Sequence, residues 1–140
     1  MSSQIQIVTA IIAALKANVA LSALLATYAS TPAVFTHVPE DKTLQYPYLV
    51  LFDVGLDGDD NDAHLGFEGV LNLHSWSDSR DMATIGNIQK AIYDILHHAE
   101  FTMAGYNLVD IHQEFSTILR DPDGITLHGV QRYRISLQTI

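Results

Sequence analysis

Cysteine is absent from the 140 residues. That absence excludes disulfide frameworks, thiolate zinc sites and thiol catalysis, and it fits assembly in a reducing compartment. Basic residues are scarce. Lys16, Lys42, Arg80, Lys90, Arg120, Arg132 and Arg134 are dispersed and stand against 16 acids, for a formal charge of −9. No stripe of cations exists to track a phosphate backbone, which argues against a protein that grips nucleic acid. Charge of either sign is thin: Asp, Glu, Lys and Arg make up 16% of the chain and hydrophobic residues 48%. This composition excludes intrinsic disorder and leaves a surface poor in charge, as expected where a partner covers part of it.

Phosphate-binding glycine spacings are also missing. The glycines at 55, 58, 66, 69, 86, 105, 124 and 129 never form a nucleotide loop, so nothing supports an ATPase or a dehydrogenase. No long unbroken apolar run occurs either. Residues 5–29 come nearest, but Lys16 and Asn18 interrupt them and no basic region precedes them. They are expected to form retained helix, neither a signal peptide nor a membrane span, and no membrane partner is expected.

A chain of this length buries about two-thirds of its unfolded surface, enough for one core, and one domain over 1–140 is expected. In residues 3–17, Ile5, Val8, Ile12 and Leu15, with Ile11 beside them, follow helical spacing. Asn18 then acts as a cap, and Val19, Leu21, Leu24 and Leu25 suggest a short second helix ending before Pro32. Three β-rich pieces follow at 33–38, 46–54 and 67–76, the last two joined by an acidic loop at 55–66. Helical spacing returns over 78–98, with Met82, Ile85, Ile88, Ile92 and Ile95 on one stripe, Leu96 beside it, and Asp78 or Ser79 as N-cap. Gly86 inside this helix costs about 1 kcal/mol against alanine and reads either as a close backbone approach or as a tolerated glycine.

Two alternating segments end the chain. Val109, Ile111, Phe115 and Leu119 share one parity in the first; Ile125, Leu127, Tyr133, Ile135 and Leu137 share one in the second. Between them Asp121, Pro122, Asp123 and Gly124 spell a tight turn. Pro122 presets its φ, Asp121 accepts a backbone N–H, and Gly124 takes the left-handed conformation. Strands in runs rather than alternation with helices predict an α+β fold. The expected architecture is a mostly antiparallel sheet of about five strands, with an N-terminal helix and a long central helix on one face.

The acidic loop is the sharpest local signal. Counting from Asp57, oxygen ligands fall at Asp57, Asp59 and Asn61 and a glutamate at Glu68, the spacing of a calcium loop. Asp62 stands where that loop needs glycine, His64 where it needs an apolar residue, and strands flank it. A flexible acidic hairpin tip is the stronger reading, with a small divalent-ion-binding module as the alternative. Seven histidines raise a third possibility, a small enzyme. Asp110 and His112 share a strand face, joined by Glu114 and, across the hairpin, His128, but no nucleophile or metal partner accompanies them. His97 and His98 fall at a helix end, where a cation meets the dipole. His74 and Trp76, with Val70, lie on the parity opposite Leu71 and Leu73, which marks them either as second-layer core or as a subunit interface.

Several blocks together resemble the tail-completion family of long-tailed bacteriophages, also called tail terminator or tail-to-head joining proteins. They are AALKA at 13–17, LSALL at 21–25, VPE at 38–40, YPYLV at 46–50, HSWS at 74–77, LRDPDG at 119–124, HGV at 128–130 and RYR at 132–134. The resemblance spans nearly the whole chain, and the blocks from 119 onward are its most specific part. It implies a structural virion protein of phages, prophages or gene-transfer particles, with no catalytic residues and no cofactor. Copies would form a ring, usually of six, that ends the tail tube and joins tail to head. Implied partners are the chain itself, the major tail tube protein and a head-completion or neck protein, with DNA only as passing cargo. The implied location is the tail–neck junction of the virion, and the host cytoplasm during assembly. In that setting Asp57, Asp59, Asp60 and Asp62 are expected to face the lumen or the tube, and His74 and Trp76 a neighbouring subunit.

Overall fold

A computed structural model of the chain describes residues 2–60 and 65–140. Its elements are α1 (Ser3–Ala17), α2 (Val19–Ser22), β1 (Thr27–Tyr28), β2 (Thr31–Pro32), β3 (Val34–Phe35), β4 (Tyr48–Gly58), β5 (Gly66–Ser77), α3 (Met82–Leu96), β6 (Thr102–Met103), β7 (Tyr106–Arg120) and β8 (Leu127–Thr139). The helices begin where short polar side chains satisfy free backbone N–H groups. The Ser2 hydroxyl accepts from Ile5 N–H, and the Asn18 carbonyl, which follows α1, accepts from Leu21 N–H at the start of α2. Asp81, not Asp78 or Ser79, caps α3 by accepting from Ala83 N–H at 2.9 Å.

The main sheet has six strands in the order β3-β4-β5-β8-β7-β6, and β1 and β2 form a separate two-stranded ribbon. This corrects the expectation of about five strands. Four long strands make the body of the sheet. The two-residue strands β1, β2, β3 and β6 are too short to show any periodicity, and β3, expected over 33–38, is reduced to one parallel contact with Leu49 and Val50 of β4. All other pairings are antiparallel.

Both fifteen-residue helices pack on one face of this sheet, giving an α+β layering. The core joins Ile7, Ile11 and Leu15 of α1 and Ile88, Ile92 and Leu96 of α3 to Leu71 and Leu73 of β5 and Tyr133, Ile135 and Leu137 of β8. The buried stripe of α1 is rotated from the one expected, while Ile85, Ile88, Ile92 and Leu96 of α3 are buried as expected. Ile5 and Met82 are exposed, and the seams run through positions four or three apart at Ile7, Ile11, Leu15 and at Ile85, Ile88, Ile92, Leu96. Apolar residues lie on both sides of these helices, so spacing alone permits two stripes and packing against the sheet selects one.

The last hairpin departs from simple alternation for a local reason. Pairing of β7 with β8 shifts between Leu108 and Asp110 and again between Gln113 and Phe115. Each bulge adds a residue and reverses the parity that follows. Hence Ile111 is buried while Val109, Phe115 and Leu119, expected on the same face, are exposed. Ile125 sits in the turn and is exposed as well. A further bulge in β4 falls at Phe52, which is exposed, and reverses the parity after it, so that Val54 packs against the core.

Candidate functional site

The sheet face away from the helices presents two regions at opposite ends of β5 and β8. Near the β4–β5 hairpin it is charged. Asp57 and Glu68 stand directly opposite each other in adjacent strands, an arrangement that repels unless a cation intervenes. Arg134 on β8 balances Glu68 from the side away from Asp57, 3.7 Å from Glu68 and 2.9 Å from Glu114 of β7, so that one guanidinium ties three strands. The hairpin narrows through an Asp59 N–H bond to the Gly66 carbonyl at 2.8 Å, and the Asp60 carboxylate accepts from Gly66 N–H at 3.1 Å. Asp57, Asp59 and Asp60 are all exposed.

Asn61 and Asp62 lie outside the described residues. The remaining members of the calcium alternative, Asp57, Asp59 and Glu68, sit on strands and a strand end, not in a loop entered and left by helices. Among the described residues no three His, Asp or Glu side chains gather as they would around a metal ion.

The other end carries a row of rings. Tyr28, Phe35, Tyr48, Trp76 and His128 follow one another with centroids 5.4, 6.3, 5.5 and 4.3 Å apart, and Trp76 stacks on His128 at 12°. His74 lies diagonally across from His128, its Nδ1 2.6 Å from His128 Nε2, and Phe52 tilts over it at 4.6 Å. Burial, and secondarily the neighbouring His128, holds the His74 imidazole below its ordinary value of 6.5. His128 is pushed down by burial too, against the pull of Asp121. Both rings are therefore held toward the neutral state, in which one donates and the other accepts.

Below this row lies the 121–124 turn. Gly124 N–H donates to the Asp121 carbonyl at 2.9 Å, and Gly124 has φ +72°. The side-chain acceptor is Asp123, not the expected Asp121: its carboxylate takes Ile125 N–H, Thr126 N–H and the Thr126 hydroxyl. The Asp121 carboxylate instead approaches His128 Nδ1 at 3.8 Å.

His74 and Trp76 are thus brought together with His128 and Tyr48, and not with the acidic hairpin. Trp76 is eight residues from Glu68 along β5, about 26 Å at strand rise. His112 and His128, the pair an enzyme would need, are also apart: His112 pairs with Arg134 in the ladder and His128 with Leu119. His112 Nδ1 instead meets Asp110 at 2.6 Å, and His98 Nδ1 meets the other carboxylate oxygen at 3.1 Å. Tyr48 and Phe52 were not singled out from sequence. The alternation of Tyr46, Tyr48, Val50 and Phe52 was the available signal of an outward aromatic face.

The profile of a protein family described as tail completion protein gp17 matches residues 9–138. The chain belongs to this family. A comparison with curated proteins finds no match. Among solved structures the tail completion chain is similar to a chain of the "Virion of native gene transfer agent (GTA) particle", with a TM-score of 0.80 and 19% identity. The likeness covers 93% of this chain and 92% of that one and extends to the fold. The blocks at 74–77 and 119–134 fall on β5, the end of β7, the turn and β8, and His74, Trp76 and His128 among them build the aromatic end of the outer face.

Proposed function

We propose that this protein is a structural subunit of a virion, a single domain whose copies form a ring of six that ends the tail tube and joins it to the head. The family match over 9–138 carries this reading. The edge of β4, paired among the described residues only with the two residues of β3, and the two hairpin ends supply head-to-tail contacts. Such heterologous contacts close when the rotation per subunit divides a full turn. The tube protein and a neck protein meet the two faces of the ring, and the subunit resides at the tail–neck junction after assembly in the host cytoplasm.

DNA passes through as cargo. Six subunits carry six times the chain's −9, and a like-charged wall keeps a duplex centred without holding it. Asp57, Asp59, Asp60 and Asp62 face the lumen or the tube in this arrangement, and His74 and Trp76 face a neighbouring subunit. Electron microscopy of particles tests both placements. A ring at the tail–head junction with the acidic hairpins inward is expected; hairpins on the outer rim would remove the lumen role, and density for this chain elsewhere in the particle would overturn the whole reading.

A further inference from the structure

The edge of β7 that faces away from β8 has no strand beside it over 108–120 among the described residues, since β6 pairs only with Tyr106 and Asn107. Such an edge presents unpaired N–H and C=O groups and is an open template for another strand. Here α3 and the residues after it stand in for the missing strand. Gln89 Nε2 donates to the Thr117 carbonyl at 2.9 Å, and His98 N–H donates to the Ile111 carbonyl at 2.7 Å. His98 reaches that position because its φ is +57°, which turns the chain sharply off the helix end. Between these two contacts, Gln113 N–H donates to His97 Nδ1 at 3.1 Å.

This third contact differs in kind from the other two. Nδ1 of an imidazole accepts a hydrogen bond only as a bare lone pair, which requires the neutral ring with its proton on Nε2. Protonation puts a hydrogen on Nδ1 and sets two donors face to face. We infer that His97 is a proton-operated cover of the β7 edge: the neutral ring closes it at Gln113, and the imidazolium opens it.

The surroundings decide how easily that proton arrives. From α3, Tyr93 stacks under His97 with centroids 4.3 Å apart, and Lys90, ion-paired to Asp94, lies over Tyr93. From the segment after the helix, His98 packs on His97 at 4.1 Å, and Glu100 lines the same cleft as His98 and Asp110. From β7, Asp110 and His112 face the cluster, and Arg134 of β8 stands opposite His112 while bound to Glu114. Buried Tyr133 of β8 pairs with Gln113 in the ladder. His98 and His112 thus share the Asp110 carboxylate, and His97 packs against His98 rather than against that carboxylate. Desolvation, then His98 and His112, hold His97 below its ordinary 6.5, and Asp110 opposes them.

Amide hydrogen exchange of the full chain, followed by NMR from about pH 7.5 to about pH 5 and corrected for intrinsic rates, tests this cover. Protection of the Gln113 amide is expected to fall by about tenfold or more, with a midpoint below 6.5, while the amides of Ile92 and Leu73 stay protected. His97→Gln, whose amide oxygen accepts at every pH, is expected to keep Gln113 protected throughout. A flat Gln113 profile in the unaltered chain overturns the inference, as does an equal fall in His97→Gln. Simultaneous loss at Gln113, Ile92 and Leu73 also overturns it, because it reports acid unfolding of the whole sheet. The readout belongs to the isolated subunit and stands or falls independently of any ring.

Discussion

His74 and His128 meet ring nitrogen to ring nitrogen, Nδ1 to Nε2, at 2.6 Å. The contact joins β5 to β8 on the outer face and holds only if one ring donates while the other keeps a lone pair. With Trp76 stacked on His128 and Phe52 over His74, the pair is shielded on the sides where water would otherwise stabilise a second charge.

The pH dependence of stability follows from that shielding. Both folded-state values lie below the ordinary 6.5, so beneath that pH the unfolded chain binds more protons than the folded one. Stability is therefore full above about 6.5 and declines as pH falls through 6.5 toward the depressed values. The lowered carboxylates Asp110 and Asp123 act in a separate window, under 3.8. Urea midpoints measured at about pH 7.5 and about pH 5.5 should differ, and the difference should shrink in His74→Gln/His128→Gln. An unchanged difference would assign the effect to other groups, His97 first among them.

Two glycines should respond in opposite directions to alanine. A Cβ on Gly86 meets nothing within 4 Å, so the tolerated-glycine reading of α3 holds, and Gly86→Ala should stabilise by up to about 1 kcal/mol through helix propensity. A Cβ on Gly69 would lie 1.8 Å from the Gly55 carbonyl oxygen, which is backbone of the paired strand and cannot swing aside. Gly69→Ala should cost about 3 kcal/mol, the upper end of the overpacking range, in chemical denaturation.

Beneath the sheet, Gln131 is buried, and its amide donates to the Gln89 carbonyl and the Gln113 side chain, next to the Tyr133 hydroxyl. Gln131→Leu keeps the volume but removes this donor from both acceptors, leaving Gln113 Oε1 with the Tyr133 hydroxyl at 3.3 Å. A loss of about 1–3 kcal/mol is expected, measured from the urea midpoint.

The 121–124 turn should be sensitive at two different residues for two different reasons. Asp123→Ala removes the acceptor for three donors from residues 125 and 126 and should lower the thermal midpoint. Gly124→Val forces a β-branched residue to φ +72° and should impair folding or tail completion more severely. Normal assay of completed tails with Gly124→Val would remove the structural role assigned to this turn.

Much of this fold was readable before the structure, and the failures share a physical origin. The turn at Asp121 to Gly124 and the helix around Ile88 and Ile92 are local features, specified by φ preferences and spacing. The inward set of β7 was misread because a bulge is decided by the partner strand, and single-strand parity cannot register an inserted residue such as Val109 or Glu114. The aromatic end was half visible. Trp76 and His74 stood out, but their neighbour His128 lies on another strand, and Tyr48 reaches them only through register. His97 carried no signal beyond its helix-end position, because its partner is a backbone N–H sixteen residues away.

The pairing of β5 with β8 runs from Gly66 opposite Gln138 to Ser77 opposite Leu127 without a register shift, unlike its neighbours on either side. Mechanically, these two strands are a strut. Force applied along them, at the acidic tip or at the opposite turn, loads every ladder hydrogen bond in shear at once, whereas the bulged pairs beside them yield at single points. The path from one end to the other is thus backbone throughout, with no side chain needed to relay a load.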